Sequence, residues 1–416
     1  MADELRSVVP ASEILEKIQK GEPVEYDDVI VEGDLDLSML DLQTKTKDEI
    51  DFLMLSESAK IVASSIQIMY SEIKGSVIFS NCILQNKVNF AGSLFGYISS
   101  GGAMFEGDAN FFDAKFGSSA FFGGAKFIGI AIFRGAKLGG DANFSGTKFE
   151  GNADFIGAKF GGDANFSGTK FGGDVDFIRV KFGGNAFFGG AKFIGNANFW
   201  GAKFAGEALT FRYATFANPE SQEDACRRAK NVLERAGSKE EAGYHFYREM
   251  EGRRKRNGFI NGTHWTPQTA WTNILVAWKS KNYSFRKKIS ALADILFGWI
   301  TRFIWYDIIE FVFVQKIFGY GVHPWWLMFW WGIVVIAFAI LYQAGNGIIG
   351  ATQPFDYIKL SFATAIAPGY IAAIFNPGST GYRLISEYQA VAMAETIVGT
   401  FLWAGFIATF ARKYMR

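Results

Sequence analysis

An 11-residue repeat occupies the middle of the chain, from about residue 105 to 204, and it restricts the fold more than any other feature. Four consecutive units read GDANFSGTKFE, GNADFIGAKFG, GDANFSGTKFG and GDVDFIRVKFG. Their phenylalanines are spaced alternately by five and six residues, whereas an amphipathic helix needs apolar residues three or four apart and a half-buried strand needs them two apart. A fixed period over roughly a hundred residues is typical of a solenoid, in which similar coils stack around one continuous core.

Two unusually frequent residue types, 47 glycines and 43 phenylalanines among 416 residues, have defined places in each unit. The phenylalanine points inward, and a glycine a few residues later turns the chain. A small residue precedes each phenylalanine by two positions, as with Ala142 before Phe144. This residue also points inward, and beside a phenylalanine only a small side chain fits. Four such segments would close one coil, and coils would stack at the roughly 4.8 Å spacing of paired strands.

These units resemble the pentapeptide-repeat family, whose members fold as right-handed quadrilateral β-helices with Phe or Leu at the centre of a five-residue unit. The chain differs from the family pattern by one extra residue in every second unit, so we expect coils of 22 rather than 20 residues. Looser turns such as IVEGDLDLSMLDL extend the expected solenoid to residues 25–217. The resemblance specifies no function, because such folds serve many roles.

Helices are expected at both ends of the solenoid. Residues 1–24 predict an N-terminal capping helix over residues 13–20, with Ser12 as its N-cap, that covers the open strand edge. Residues 218–290 predict a helical linker, because the composition becomes charged and poor in glycine. Its first part, residues 220–258, predicts a helical hairpin that closes the other end.

A lysine recurs in every 11-residue unit, so 22-residue coils would stack alternate lysines into two ladders on opposite faces. One interpretation of the ladders is that they form a surface that binds an anionic partner. The other is solubility alone, with nearby aspartates that relieve the repulsion between lysines. The first lysine ladder, the candidate binding surface, contains Lys115, Lys137, Lys159, Lys181 and Lys203, and the second contains Lys126, Lys148, Lys170 and Lys192.

Charge and motif content exclude several classes of function. The chain has 42 Lys+Arg and 41 Asp+Glu, a net charge of +1, which argues against a nucleic-acid partner. Its two cysteines and three scattered histidines offer neither a disulfide framework nor a metal site. Gly345, Gly347 and Gly350 match the dinucleotide fingerprint only by letters, since they follow an apolar span and not a strand. We find no catalytic constellation, so we expect no enzyme and no cofactor.

Two segments near the C-terminus are long and apolar enough to cross a bilayer, which needs about 20 residues. No charged residue occurs in 324–352, and Glu395 is the only one in 388–411. We expect a two-span domain over residues 323–416, with an outer helix at 323–344 and an inner helix at 384–412.

The preceding residues 291–322 are apolar but carry Arg302, Asp307 and Glu310, whose burial in mid-membrane is costly. An amphipathic helix on the membrane surface is therefore favoured over a third span. Basic residues cluster before the first span and after the second. This distribution predicts a multi-pass protein of the cell membrane with the solenoid and the C-terminus in the cytoplasm.

The connector between the spans, residues 353–376, predicts a pore helix and a re-entrant loop. QPFDYIKLSFATA is typical of a helix too short to cross the membrane, and the irregular TAIAPGY follows it. Such backbone is tolerated at membrane depth only where it lines a cavity or is buried in protein, and four copies around an axis would supply a cavity.

With its flanking spans, this connector resembles the two-span pore module of tetrameric potassium-channel-like proteins, which implies a homotetramer in a lipid bilayer. Glu395-x-x-x-Gly399 matches a pattern common on the inner helix of prokaryotic members. The resemblance implies that Gly399 is a hinge or a point of close helix packing. It leaves Glu395 either as a residue that attracts cations or as a hydrogen-bond partner of the pore helix or a neighbouring subunit.

The selectivity filter departs from that family, whose filters read T-x-G-Y-G. Ala365 replaces the filter threonine, Ala367 takes the place of the first glycine, and Pro368 replaces the tyrosine and lacks an N–H group. The Thr364 side chain either faces the axis of the pore or forms a hydrogen bond with its own helix. The candidate filter comprises Thr364, Ala365, Ile366, Ala367, Pro368, Gly369 and Tyr370.

We therefore expect an ion channel whose wider or unselective pore is not potassium-selective and passes monovalent or divalent cations. The altered filter also allows a plug that does not conduct. The solenoid would regulate it by binding a cytoplasmic protein or a small ligand. The alternative is a membrane-anchored scaffold that binds a protein partner and does not conduct.

Overall fold

The structure is a computed structural model that describes residues 6–46, 58–257, 315, 324–351, 353–366 and 383–414. The chain divides into two compact units, residues 1–253 and 254–416, which are considered separately.

The first unit is a β-solenoid of short parallel strands that form sheets of 15, 8 and 9 strands. In its regular part each coil has four two-residue strands, and a strand pairs with the strand 22 residues further along. Lys115, for example, pairs with Lys137, which confirms the coil length expected from the sequence. The four strands of each coil build four stacks, two of which belong to the 15-stranded sheet.

The strand bounds follow these stacks. The first contains β14 (Lys115–Phe116), β18 (Lys137–Leu138), β22 (Lys159–Phe160), β26 (Lys181–Phe182) and β30 (Lys203–Phe204). The second contains β15 (Ala120–Phe121), β19 (Ala142–Asn143), β23 (Ala164–Asn165), β27 (Ala186–Phe187) and β31 (Leu209–Thr210). The third contains β12 (Met104–Phe105), β16 (Lys126–Phe127), β20 (Lys148–Phe149), β24 (Lys170–Phe171), β28 (Lys192–Phe193) and β32 (Thr215–Phe216). The fourth contains β13 (Ala109–Asn110), β17 (Ala131–Ile132), β21 (Ala153–Asp154), β25 (Val175–Asp176) and β29 (Ala197–Asn198).

Strands of two to seven residues form the less regular coils that precede this part. They are β1 (Ser7–Pro10), β2 (Val24–Asp27), β3 (Val29–Glu32), β4 (Leu35–Asp36), β5 (Thr44–Thr46), β6 (Ser58–Val62), β7 (Ile66–Met69), β8 (Glu72–Ile78), β9 (Cys82–Leu84), β10 (Val88–Asn89) and β11 (Leu94–Ser99). All their pairings are parallel except that of β5 with β6.

The core consists of phenylalanine rings stacked from coil to coil. Phe166 is fully buried and stacks on Phe144 and Phe188, with ring centroids 4.9 Å apart in both pairs. The rings of Phe155 and Phe177 meet it edge-on at 5.6 and 5.4 Å. Each ring therefore contacts rings of its own column and of the facing column, both favourable arrangements.

Aspartate and asparagine side chains bridge successive coils at the turns. Asp141 Oδ1 accepts a hydrogen bond from the backbone N–H of Asp163 (2.9 Å), and Asp163 Oδ1 accepts one from Asn185 (2.7 Å). These side chains satisfy backbone donors that lie between strands. The repeated aspartates thus bond to the backbone, a role that the interpretation as lysine counter-charges did not include.

The N-terminal end differs from the sequence prediction. Helix α1 is Ala11–Gln19 and begins after Pro10, with no side-chain cap, so Ser12 is not its N-cap. The reason is that β1 pairs with β3 and Pro10 continues its extended backbone (φ −68°, ψ 137°), which places the start of the helix at Ala11. Residues 1–24 therefore contribute a strand as well as a helix.

Two helices cover the other end, α2 (Pro219–Arg235) and α3 (Lys239–Asn257). Asn218 caps α2, since its side chain accepts a hydrogen bond from the Glu220 N–H at 2.8 Å. Ala225, Ala229 and Val232 of α2 are part of the solenoid's hydrophobic core.

In the described part of the second unit, three helices pack on one another: α4 (Pro324–Ala344), α5 (Pro354–Ile366) and α6 (Gln389–Tyr414). A short ribbon joins β33 (Ile348–Ile349) to β34 (Arg383–Leu384). The inner helix was expected from residue 384, but it begins at Gln389, because β34 and a 3-10 turn at Ser386–Tyr388 occupy its start. The surface helix expected at 291–322 lies outside the described residues apart from Gln315.

Candidate functional site

Both lysine ladders form, and they differ in their surroundings. In the first ladder, five lysines pair in register along one stack and all are exposed. In the second, Lys126, Lys148 and Lys170 are half-buried, and Lys170 forms an ion pair with Glu150 at 3.2 Å. Among the residues that the structure describes, no member of the first ladder forms an ion pair.

A buried glutamate joins α4, α5 and α6. Glu395 on α6 has no exposed surface and accepts a hydrogen bond from the Tyr342 hydroxyl of α4 at 2.7 Å. Its other carboxylate oxygen contacts the hydroxyl of Ser361 on α5, which also lies 2.8 Å from the Val335 carbonyl of α4. Of the two roles considered for Glu395, this geometry corresponds to the hydrogen-bonded one.

The Tyr342 hydroxyl offers a conservative way to weaken this cluster. Tyr342→Phe removes a hydroxyl donor to a buried carboxylate, so we expect the helical unit to lose about 1–2 kcal/mol of stability. The measurement is the thermal midpoint of the detergent-solubilised protein. Tyr357→Phe is the control, since Tyr357 is buried in the same apolar cluster and makes no hydrogen bond with any described side chain. Equal midpoints for the two variants would contradict the assigned role.

Thr364 and Ala365 form the last turn of α5. The Thr364 hydroxyl donates to the Leu360 carbonyl at 2.8 Å, so it bonds to its own helix. Its carbonyl lies 3.3 Å from the Thr396 hydroxyl of α6, which is nearer to the Ala392 carbonyl of its own helix, at 2.9 Å. Ile366 ends α5. The other candidate filter residues, Ala367, Pro368, Gly369 and Tyr370, lie outside the described part of the chain.

Gly399 is the point at which α6 touches the end of α5. A Cβ atom at Gly399 would lie 2.5 Å from the Ala365 carbonyl oxygen and 2.7 Å from its Cα. Both are backbone atoms, so the contact can be relieved only if a helix moves. Gly399 therefore permits close packing of α6 on α5.

Adding one methyl group tests that contact. We expect Gly399→Ala to destabilise the helical unit by about 1–3 kcal/mol, because the methyl group overlaps the backbone of α5. Gly332→Ala on α4 is the matched control: a Cβ atom there meets nothing within 4 Å, and alanine favours the helix. The thermal midpoints of the two variants in detergent should move in opposite directions. A drop of the same size in both would show that the contact is unimportant.

The chain just after α4 lies beside the chain just before α6, because Ile348 pairs with Leu384 and Ile349 with Arg383. Gly345 and Gly347 lie against the ring of Tyr388, and a Cβ atom at Gly347 would be 2.8 Å from a ring carbon. These glycines therefore make room for an aromatic ring, a packing role that the letter match to a dinucleotide fingerprint did not indicate.

The comparison with known families agrees with the β-solenoid. The family model of pentapeptide repeats matches in nine copies, over residues 111–159, 122–170, 155–203 and 166–215. Residues 111–215 are pentapeptide repeats. No curated protein and no solved structure matches the chain.

Side chains of α2 and α3 continue the backbone hydrogen bonds at the last coil of the pentapeptide repeats. The Ser221 hydroxyl accepts from the Ala197 N–H (3.0 Å), and the Tyr244 hydroxyl accepts from the Tyr213 N–H (3.1 Å). Arg248 donates to the Ala214 carbonyl at 2.9 Å. The helices thus satisfy a strand edge that would otherwise pair with another chain. No sequence signal marked these residues.

His245 on α3 completes this cap. It is fully buried, and its Nε2 accepts a hydrogen bond from the Phe211 N–H at 3.4 Å. Burial lowers its pKa from 6.5 to about 4, and the positive charges of Arg248 and Arg212 act in the same direction. A protonated ring would place an N–H against the Phe211 N–H, so the cap requires the neutral form.

The stability of the pentapeptide-repeat unit should therefore depend on the protonation of His245. In the unfolded chain the ring gains a proton below about pH 6.5, but in the folded chain only near pH 4. Stability is therefore lost as the pH falls between these values, by up to roughly 3 kcal/mol. Thermal midpoints measured across this range should fall more steeply in the parent than in His245→Gln, whose amide oxygen can accept the same hydrogen bond. Parallel pH profiles would contradict this prediction.

Proposed function

We propose that the chain forms a homotetrameric, potassium-channel-like cation pore in the cell membrane, regulated through a cytoplasmic pentapeptide-repeat solenoid. The observation that supports this most is the position of α5, a short helix bound between two helices that are long and apolar enough to cross a membrane. The finer form proposed for the solenoid is a right-handed quadrilateral coil.

The length of α5 fits a re-entrant segment. Thirteen residues of α-helix extend for roughly 20 Å, less than the roughly 30 Å hydrocarbon thickness of a bilayer. Polar contacts of the Ser361 and Thr396 hydroxyls, together with the Gly399 contact, hold α5 against both long helices. The chain after Ile366 would then start within the membrane, where non-helical backbone needs a cavity or protein around it.

The outer surfaces of the long helices need an apolar cover. Ile336 and Ile340 on α4 are 55% and 60% exposed, and Ile397 and Phe401 on α6 are 70% and 59% exposed. A core helix of a soluble protein would bury most of such a surface, whereas here 28% of each apolar window is buried. Lipid would cover part of this surface and neighbouring copies the rest.

Conduction tests the proposal directly. The purified chain in planar bilayers should conduct, and with potassium and sodium on opposite sides its reversal potential should lie near zero, because the filter lacks the Gly-Tyr pair. Gly332→Ala should conduct like the parent, and Gly399→Ala should conduct less. A strong potassium preference would contradict the degenerate filter. Silence of the parent in bilayers that contain the inserted protein would contradict the pore.

One observation favours a second function. The exposed first lysine ladder, which has no ion pairs with other described residues, suits a scaffold that binds a partner at the membrane and does not conduct. The two helices would then act as an anchor. A cytoplasmic protein or a small ligand bound to the solenoid fits either function, and only the conducting one predicts current.

A further inference from the structure

The first lysine ladder carries like charges that the protein does not neutralise. Its five lysines belong to successive coils in direct register, so neighbouring members are separated by about one strand spacing, roughly 4.8 Å. Like charges at this backbone spacing repel, and anions from outside would relieve the repulsion. In the second ladder, by contrast, Glu150 pairs with Lys170, and three of the four lysines are half-buried.

Two acidic side chains close to the ladder in sequence bond to the backbone. Asp141 and Asp163 each follow a ladder lysine by four residues. Each uses its Oδ1 atom to accept a backbone N–H of the next coil, at 2.9 and 2.7 Å. They hold the turns together and form no ion pair with a described lysine. Among the described residues, no ion pair occupies the ammonium groups of the first ladder.

Aromatic and arginine side chains border the same ladder. Phe112 and Trp200 lie three residues before Lys115 and Lys203 and are 39% and 59% exposed. The guanidinium of Arg179 lies 5.0 Å from the Trp200 ring centroid, a cation–π contact at the surface. Exposed tryptophan beside basic residues is typical of surfaces that contact lipid headgroups.

We infer that the first lysine ladder binds the anionic headgroups of a lipid bilayer. This inference rests on the proposed function in one respect, namely that the same chain carries membrane helices. These keep a bilayer at high effective concentration, so a modest row of charges is sufficient for binding. A nucleic acid in solution is disfavoured, because the repeats carry almost as many acidic as basic residues and the chain has a net charge of +1.

Lysine acetylation of the full chain in nanodiscs tests the inference. The discs contain phosphatidylcholine alone or mixed with phosphatidylserine, and mass spectrometry follows a water-soluble amine reagent at each lysine. We expect the first ladder to react several-fold more slowly in the anionic discs, the second ladder to react equally in both, and high salt to remove the difference. Equal rates for the first ladder in the two discs, or equal protection of both ladders, would overturn the inference.

Two triple variants with the same change in charge provide the matched control. With Lys137→Gln, Lys159→Gln and Lys181→Gln, the protection of Lys115 and Lys203 in anionic discs should be lost. It should persist with the changes placed in the second ladder, at Lys148→Gln, Lys170→Gln and Lys192→Gln. Loss of protection in both variants would show a general charge effect and overturn the assignment to one face.

Two further samples distinguish lipid binding by the ladder from nucleic-acid binding and from membrane insertion of the helices. A single-stranded oligonucleotide added to neutral discs should leave the first ladder reactive, and protection by it would assign the ladder to a nucleic acid instead. Insertion is read separately, as co-elution of the chain with the disc. If the chain stays outside the discs, the membrane proposal is contradicted. Anionic vesicles are then added to that sample: protection of the first ladder would still support lipid binding by the ladder, and equal reactivity with and without vesicles would overturn it.

Discussion

Phe188→Ala is expected to destabilise the pentapeptide-repeat solenoid by about 3–5 kcal/mol, the usual cost of removing a buried phenylalanine ring. Phe188 has no exposed surface and stacks between Phe166 and Phe211, at 4.9 Å from each. The rings of Phe177 and Phe199 meet it edge-on at 5.4 and 5.7 Å. Neighbouring coils hold these rings in place, so the solenoid cannot collapse into the resulting cavity without shifting strands.

The preceding residue supplies the control. Phe187 is the last residue of β27, directly before Phe188, and it is only half-buried, because successive side chains of extended backbone point to opposite faces. Phe187→Ala should therefore cost less than about 1 kcal/mol. Pulse proteolysis of the full chain in urea measures the folded fraction, and the midpoint should fall much further for Phe188→Ala. Equal shifts would mean that the column of rings is not the main source of stability.

The solenoid could be predicted from the sequence because each coil obeys the same local rule. An inward Phe, a small residue two positions earlier and a turning glycine recur in almost every unit, so one coil defines the next. The 22-residue register and both lysine ladders follow from that period alone. What distinguishes the two ladders did not follow, because the burial of Lys126 and the pairing of Lys170 depend on neighbouring turns.

The ends of the solenoid lack this repetition, and the sequence indicated only that helices would cover them. The buried His245 meets the Phe211 N–H across 34 residues, and no local pattern relates the two. The start of α1 was placed too late because the pairing of β1 with β3, which fixes Pro10, is also a long-range contact.

The candidate pore site was predicted in part. Its residue types and the three-helix order follow from hydropathy and from the resemblance to channel modules. The partners of Glu395 did not, since Ser361 and Tyr342 are 34 and 53 residues away. A buried carboxylate needs donors, but only packing decides which hydroxyls supply them.

A further expectation concerns ion selectivity. The double substitution Ala367→Gly with Pro368→Tyr places Gly-Tyr-Gly after Ile366 and restores the backbone N–H that proline lacks. If the connector forms the filter, four copies would then present the carbonyls that replace the hydration shell of potassium. With potassium and sodium on opposite sides of a planar bilayer, the reversal potential should move from near zero toward potassium selectivity, and a tenfold preference corresponds to about 59 mV for a monovalent ion.

The design leaves Ala365 unchanged for a structural reason. Potassium filters have threonine at this position, but Ala365 packs against Gly399, where a Cβ atom on the glycine would already lie 2.9 Å from the Ala365 Cβ. A larger residue at position 365 would separate α5 from α6, so Ala365→Thr added to the double variant should reduce conductance. Pro368→Tyr alone should remain unselective, because alanine at position 367 disfavours the left-handed backbone that glycine permits. A double variant that conducts with a reversal potential still near zero would show that residues 364–370 do not form the filter.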